Sequence, residues 1–254
     1  MNEYRNTEEY NDKIFEDFCE ATNSIGFLKK HRDFIEQNAL GFGERAFHYM
    51  WFLLIESLSS KNNPVSVLEI GVYKGQILSL WALIAKSLNL PLIVNGITPL
   101  KGKKRPGSKL WLRLNHKASK KYKEDIDNGN FYEEADYYSI IRSVFEKFDL
   151  DFSSVNLMKG YSTQRKIIKQ ASKKKYSIIY IDGDHSYQGA LFDIQNYSPL
   201  LEEGGFLVMD DASCYLPSTK FWKGHKAVSD ACNILPELGF KNILNVGHNR
   251  VFQK

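Results

Sequence analysis

The stretch YSIIYIDGDH at residues 176–185 decides the fold, because a short apolar run leads there directly into polar side chains. Residues 176–181 are mostly β-branched or aromatic and carry no charge, which is typical of a buried parallel strand. A second apolar run, GFLVM at residues 205–209, leads into Asp210 and Asp211. These runs predict two strands that are each followed by a pair of acids.

The residues between the two runs predict a crossover helix. Apolar side chains recur there at three- and four-residue spacing, as on one helix face: Tyr187, Ala190, Leu191, Ile194 and Tyr197. A strand, a helix and a second strand in this order form a parallel unit, whose strands end at the same edge of the sheet. Open α/β folds keep their ligand crevice at that edge.

The shared edge collects Asp182, Asp184, His185, Asp210 and Asp211. Four carboxylates at close quarters repel each other unless a cation joins them, and such oxygen ligands suit magnesium, calcium or manganese. The alternative is that the first pair of acids caps the following helix and the second pair makes turns. Because both pairs lie on one edge, a metal site is the favoured prediction.

The composition predicts a soluble globular protein. Of the 254 residues, 43% are hydrophobic and 25% are charged, and the formal net charge of +4 does not require a nucleic-acid partner. Three scattered cysteines predict neither disulfides nor a zinc site. Neither a signal peptide nor a membrane span is found. We therefore expect a cytoplasmic protein.

Two regions are set apart from the central unit. Residues 1–62 predict an N-terminal helical cap, helical from about 7 to 60 with one break at residues 41–43, whose aromatic side chains are expected to pack. Residues 63–254 predict the α/β domain. A basic insert at about 100–130 is expected to be a solvated loop, with a clamp for an anionic acceptor as the alternative.

A glycine-containing loop follows the first strand, which is predicted at Val65 to Ile70. Gly71 and Gly75 permit a tight turn and a close approach to a ligand, and the helix predicted at 76–88 offers free N–H groups. The glycine spacing is not that of the dinucleotide fingerprint, which disfavours a nicotinamide cofactor.

A second polar loop, Gly160 to Thr163, follows a strand predicted at Val155 to Met158 and lies at the same sheet edge. It can hold an adenine ring by hydrogen bonds and stacking. The alternative is an ordinary helix start with Ser162 as the N-cap. Two closing antiparallel strands are predicted at 242–246 and 250–252.

This order of elements resembles the class I S-adenosylmethionine-dependent methyltransferases, which implies an α/β fold with a Rossmann-like, doubly wound, mostly parallel seven-stranded sheet. Three segments carry the resemblance: VLEIGVYKG at 67–75, YIDGDHSY at 180–187 and GGFLVMDD at 204–211. Within that fold the sequence is similar to metal-dependent O-methyltransferases, including the catechol type and the bacterial sugar O-methyltransferases.

The resemblance implies S-adenosyl-L-methionine and a divalent metal, Mg or Mn, as cofactors. The implied metal ligands are Asp182, Asp210 and Asp211, and the implied catalytic residues are Asp182 and His185. The implied cofactor-binding residues are Glu69, Gly71, Tyr73, Gly75, Gly160, Tyr161, Ser162, Thr163 and Asp182.

His185 lies three residues after the first metal-binding aspartate, where the sugar-modifying members have a histidine base and the catechol type has a lysine. Its alternative role is that of a helix-start residue bonded to the backbone. Thr98 stands where an acidic ribose contact is expected in the family, and Asp136 and Glu69 are the alternative candidates for that contact. Asp184 is expected to support the site by orienting His185 or a water on the metal.

We therefore expect a metal-dependent O-methyltransferase that acts on a sugar hydroxyl, specifically a nucleotide-linked sugar for surface polysaccharide. The metal lowers the pKa of the hydroxyl, and His185 removes its proton. Two alternatives are a metal-assisted hydrolase or hydroxylase-like relative and a non-catalytic nucleotide-binding protein that binds a partner protein. The expected partner is a small sugar or sugar-nucleotide acceptor, and self-association through the aromatic N-terminal helices is left open.

Overall fold

A computed structural model describes residues 4–59, 64–101 and 133–254. The strands are, in chain order, β1 (Val65–Ile70), β2 (Leu92–Thr98), β3 (Asn156–Lys159), β4 (Tyr176–Ile181), β5 (Leu201–Met209), β6 (Lys241–Val246) and β7 (Asn249–Gln253). The helices are α1 (Glu8–Ser24), α2 (Gly26–Gln37), α3 (Ala46–Ser57), α4 (Gln76–Leu88), α5 (Tyr137–Lys147), α6 (Arg165–Ala171), α7 (Tyr187–Tyr197) and α8 (Lys226–Ala231).

The seven strands form one sheet in the order β3-β2-β1-β4-β5-β7-β6. Strands β1 to β5 pair in parallel, whereas β7 is antiparallel to both β5 and β6. The predicted mostly parallel seven-stranded sheet is therefore confirmed.

The hydrophobic core lies on both faces of the sheet. Successive strand residues face opposite sides, so Val67 and Leu68 belong to two different buried clusters. Helices α1 to α5 contribute to the first cluster, and α6, α7 and α8 contribute to the second. This double layer of helices is the doubly wound arrangement, and the N-terminal helices pack on the same face of the sheet as α4.

Two parts of the predicted domain division lie outside the described residues. The boundary at 62/63 falls within residues 60–63, and nearly all of the basic insert falls within residues 102–132. Both therefore stay predictions. Among the described helices, none is long and apolar enough to cross a membrane.

Three local expectations are corrected by the structure. The N-terminal helical region has a second break, because Ile25 adopts an extended backbone between α1 and α2. Strand β5 begins at Leu201 rather than Gly205, because Leu201 already pairs with Tyr176 before a register shift, after which pairing resumes between Ile178 and Phe206. Tyr187 stays 42% exposed because it is the first residue of α7, beyond the buried part of the helix face.

The carboxyl ends of three neighbouring strands are tied to one another just beyond their last residues. The Asp182 N–H donates to the Ile70 carbonyl over 2.8 Å, and the Asp210 N–H donates to the Ile181 carbonyl over 3.0 Å. The loops that follow β1, β4 and β5 are consequently held side by side at one edge of the sheet.

Candidate active site

Two cavities adjoin at this edge. The larger has a volume of about 540 Å³ and the smaller a volume of about 250 Å³. Gly71, Tyr73 and Asp182 line both cavities, so the loops after β1 and β4 form the wall between them. Asp182 therefore borders both cavities.

The nine residues predicted to bind the cofactor all line one of these cavities. Glu69 and Gly75 line the larger one, and residues 160–163 line the smaller one. The Tyr161 ring is 50% exposed and offers an open face beside the smaller cavity. The structure thus brings together two loops that are about ninety residues apart in the sequence.

Ser162 does not cap a helix, so that alternative is wrong. Helix α6 begins at Arg165 with Gln164 at the N-cap position, because residues 160–163 continue as a loop after β3. The Ser162 carbonyl instead accepts a hydrogen bond of 2.7 Å from the Tyr197 hydroxyl. This bond fixes the loop against α7.

Thr98 lines the smaller cavity at the end of β2, where an acidic ribose contact was expected from the resemblance. The two alternative acids lie elsewhere. Asp136 is the N-cap of α5 and accepts hydrogen bonds from the N–H and hydroxyl of Ser139. Glu69 lies under the larger cavity. Of these three residues, only Thr98 lines the smaller cavity, so the expected acidic contact has no counterpart among them there.

The larger cavity contains the predicted acids and His185. The His185 Nε2 atom lies 3.4 Å from Asp182 Oδ1 and 3.5 Å from Asp211 Oδ2. Ligand atoms of Asp182, His185 and Asp210 all lie within 4.8 Å of one another, which is close enough for one metal ion to contact all three. Asp211 has a left-handed backbone with φ +53°, a conformation that is uncommon for a residue with a side chain.

Among the described residues, the ion-pair contacts of Asp182, Asp210 and Asp211 are with histidines. Burial, reinforced by Asp210, raises the pKa of Asp182 well above its usual range and the pKa of Asp211 to about 9. Burial also raises the pKa of Glu69 to about 8. In addition, Asp210 Oδ1 is buried without a hydrogen-bond partner. A divalent cation would supply the missing positive charge, so the residues fit a metal ion.

Two further histidines surround the acids and were not found from the sequence. The His225 ring stacks on His185 with centroids 5.1 Å apart, and His225 Nε2 lies 3.6 Å from Asp211 Oδ2. His248 is buried in the turn between β6 and β7, with Nε2 3.5 Å from Asp210 Oδ1. Burial lowers the pKa of His225. The sequence indicated only that His248 lies in a predicted turn, and a histidine in a turn does not by itself indicate a functional site.

Aromatic side chains also line the larger cavity. Phe42 and Trp222 line the cavity with 71% and 53% of their surfaces exposed. The Phe42 ring stacks on Tyr73 at a centroid distance of 5.3 Å. Lys74 also lines the cavity, where it forms an ion pair with Glu133 and donates a hydrogen bond to the Ala39 carbonyl. The cavity therefore combines an acidic, histidine-rich floor with apolar walls.

Asp184 lies beside the smaller cavity at the start of α7. Its carboxylate accepts a 2.9 Å hydrogen bond from the Ser186 N–H, while the Ser186 hydroxyl caps the helix by accepting from Gly189. Part of the capping alternative therefore applies to Asp184. The other acids of the edge point to the larger cavity.

Comparison with known proteins identifies a family. A family model described as a methyltransferase domain matches residues 68–212, which include the β1 loop and the acids after β4 and β5. A curated relative, uncharacterized protein R132 of Acanthamoeba polyphaga mimivirus, is 26% identical over 186 residues, or 72% of this chain. The match covers 66% of that relative, which is just under two thirds of its length.

Solved structures share the fold at low sequence identity. The O-methyltransferase NovP is 16% identical with a TM-score of 0.57, and the alignment covers 82% of this chain and 78% of NovP. The calicheamicin methyltransferase CalS11, also described as a TDP-rhamnose 3'-O-methyltransferase, is 14% identical with a TM-score of 0.56. That alignment covers 99% of this chain and 95% of CalS11.

Proposed function

Because this chain belongs to the methyltransferase domain family, we propose that it transfers a methyl group from S-adenosylmethionine to a hydroxyl of a sugar with the help of a divalent metal. The observation that carries the proposal is the wall shared by the two cavities. Asp182 lies in that wall, between a cavity suited to an adenosine group and the cluster of acids and histidines. Donor and acceptor can therefore meet beside Asp182 and His185.

The residues around the smaller cavity are proposed to bind the donor. Tyr161 would stack on the adenine, and the loop from Glu69 to Gly75 would hold the methionine part. Glu69 Oε2 is buried and has no hydrogen-bond partner, so it is available to an ammonium group. S-adenosylmethionine, when bound, would supply an electrophilic methyl group.

Asp182, Asp210 and Asp211 are proposed to hold the metal; His248 lies within reach of a metal shared with Asp210 and Asp211, and His225 within reach of one shared with Asp211 and His185. A divalent ion, when bound, would lower the pKa of the acceptor hydroxyl. Burial, and then repulsion by Asp210, raises the pKa values of Asp182 and Asp211, and a cation would relieve both effects. The chain therefore contributes the charge, the oxygen donors and the orientation of the site.

His185 is proposed to accept the hydroxyl proton on Nε2. This atom already lies 3.4 to 3.5 Å from two carboxylates, which stabilise the cationic ring once the proton has arrived. His225 stacks on the ring and limits its rotation. Positioning two reactants at contact distance beside such a base can contribute up to about 7–11 kcal/mol in favourable intramolecular models.

The sugar acceptor is proposed from the cavity walls and from the histidine. Phe42 and Trp222 expose apolar ring surface in a cavity that is also lined by acids and histidines, a combination that suits a sugar ring. CalS11, which shares the fold, is described as acting on TDP-rhamnose. A nucleotide-linked sugar for surface polysaccharide is the acceptor that we propose for this chain.

The decisive experiment begins with calorimetric titration of S-adenosylmethionine into the protein with Mg²⁺ or Mn²⁺, and again with a chelator. The protein is then incubated with a panel of sugar nucleotides, free sugars and catechol, and the masses of the products are measured by mass spectrometry. We expect donor binding and a metal-dependent gain of one methyl group on a sugar nucleotide. Methylation of catechol alone would contradict the sugar acceptor, and absence of donor binding would contradict the donor site.

A further inference from the structure

One face of the N-terminal helix α1 holds the loop that carries Trp222. The Asn11 amide donates a 2.9 Å hydrogen bond to the Pro217 carbonyl. The Phe15 ring contacts the Phe221 ring at a centroid distance of 5.2 Å. Further along the helix, Glu16 forms a 3.0 Å ion pair with Lys220. The four α1 residues Asn11, Asp12, Phe15 and Glu16 lie on one face of the helix. We call their contacts with residues 217–221 the α1 clasp.

Asp12 is the centre of the α1 clasp. Only 9% of this residue is exposed. Its carboxylate accepts hydrogen bonds from the Ser218 hydroxyl, the Thr219 hydroxyl and the Thr219 N–H. Burial opposes ionisation, but these hydrogen bonds outweigh it and lower the pKa of Asp12. A buried carboxylate with this many donors is costly to leave unpaired, so the loop is fixed where it meets α1.

The other end of the loop is fixed next to the acids. Ala212 and Gly224 form a β-bridge that closes the loop at its base, and the His225 N–H donates to the Asp211 carbonyl over 2.8 Å. Trp222 lies between this base and the α1 clasp. Its ring centroid is 5.3 Å from that of His225 and 5.2 Å from that of His248.

Trp222 is therefore held beside the reacting groups while its ring remains open to the cavity. A large aromatic side chain that stays 53% exposed within a cavity provides apolar area for a ligand at a small cost in conformational entropy. Its T-shaped contacts with the two histidines fix the orientation of the ring. A ring that packs on Trp222 would lie beside His225 and His248, which adjoin Asp211 and Asp210.

We propose that Trp222 binds the ring of the acceptor and that Asp12, which lies outside the cavity, is the positioning residue that holds Trp222 there. The inference rests on the proposed methyl transfer to a sugar, and it adds the residues that determine how the acceptor is bound. It also assigns α1 a role in the site although no residue of α1 lines the described part of the cavity.

The test compares Asp12→Ala and Asp12→Asn with Asp17→Asn as the matched control. Asp17 lies on the same helix but is paired with Lys13 in solvent, away from the loop. Kinetics are measured with the sugar nucleotide that is methylated in the panel, and donor binding by calorimetry. We expect Asp12→Ala to raise the acceptor KM by about tenfold, equivalent to losing a hydrogen bond to a charged group, and to leave donor affinity unchanged.

A double-mutant cycle separates positioning from general stability. Trp222→Ala is expected to raise the acceptor KM at least as much as Asp12→Ala, and adding Asp12→Ala to Trp222→Ala is expected to have little further effect. Fully additive effects on KM, or a fall in kcat at unchanged KM, would overturn the proposal. If Asp12→Ala does not fold, Thr219→Val removes one donor of the α1 clasp from the loop side.

Limited trypsin digestion tests the α1 clasp without any acceptor. Lys220 and Lys223 lie in the loop, so Asp12→Asn should be cleaved there several-fold faster than Asp17→Asn. Equal cleavage rates would overturn the positioning role alone. A wild-type protein that binds the donor but methylates no member of the panel would instead overturn the proposed function.

Discussion

Gly71 approaches the carbonyl oxygen of Asp182 so closely that a Cβ at position 71 would lie 1.8 Å from that oxygen. The same two loops are joined by the hydrogen bond from the Asp182 N–H to the Ile70 carbonyl. The end of β1, which is proposed to bind the donor, is thus locked to the residue that begins the acidic cluster. A change at either loop should displace the other.

Gly71→Ala should abolish measurable donor binding by moving the Asp182 loop. Gly71 has φ +102°, so the new side chain adds backbone strain to the steric overlap. Gly204→Ala is the matched control, because Gly204 also has a positive φ of +69° but nothing lies within 4 Å of its Cβ position. Calorimetry with S-adenosylmethionine should show binding only for the control. Equal binding by both variants would contradict a tight contact at Asp182.

His185→Ala should lower kcat by about 10²- to 10⁴-fold, as expected for loss of a general base, and leave the donor Kd unchanged. His185 is proposed to contact the acceptor and is not among the residues proposed to bind the donor, so donor affinity should not depend on it. Single-turnover kinetics and calorimetry check the two parts separately. A parallel loss of turnover and donor affinity would mean that His185 is structural.

Asp210→Asn should weaken Mn²⁺ binding by at least about tenfold, since it removes a charge from the cluster. Asp184→Asn is the comparison, because Asp184 lies at the same sheet edge but accepts a hydrogen bond from the Ser186 N–H. Unchanged affinity is expected if it only supports the start of α7, whereas a loss would support its expected role beside His185 or a metal-bound water. Mn²⁺ should bind the chelator-treated protein more tightly than Mg²⁺, as nearby imidazoles suit transition metals. Electron paramagnetic resonance of free Mn²⁺ measures the Mn²⁺ affinity directly and the Mg²⁺ affinity by competition. Equal affinities of the two variants would argue against Asp210 as a ligand.

Titration of Asp193 should lower the free energy of unfolding as the pH rises from about 4 to about 7. Burial raises its pKa from 3.8 to about 7, so within this window the folded state binds one proton more than the unfolded state. The contribution of this group to the free energy of unfolding is greatest below pH 4. It decreases by up to about 1.4 kcal/mol per pH unit as the pH rises, and it has disappeared above pH 7.

Asp193→Asn removes this titration and should flatten the wild-type slope over the same window. Urea unfolding at a series of pH values measures the difference between the two proteins. An unchanged slope would show that the Asp193 carboxyl is not protonated in the folded state. Its position near Ser162 and Gly183 makes it a support of the smaller cavity, so the variant also reports on that wall.

The parts of the site that could be predicted from the sequence are those in which local order suffices. The bounds of β1 and β4 are as predicted, because their apolar runs are short and are ended by glycines or acids. Since parallel strands end at one sheet edge, the loop after β1 and the acids after β4 and β5 could be placed together.

His248, Trp222 and Asp12 could not be predicted because their roles depend on long-range packing. His248 reaches the acids only because β7 pairs antiparallel with β5 and its turn therefore returns to the carboxyl edge. Trp222 follows a loop whose position is set by α1. Ser162 was misjudged for a local reason, since a polar run before a helix allows several N-cap positions.

The α1 clasp also affects how the protein assembles. Asp12 and Ser218 are 206 residues apart in the chain, so closing this contact carries the entropy of a very long loop and needs both ends of the protein. The residues proposed to bind the donor all lie between positions 69 and 182. The donor half of the site can therefore form during synthesis, whereas the acceptor wall must wait until the last strands emerge.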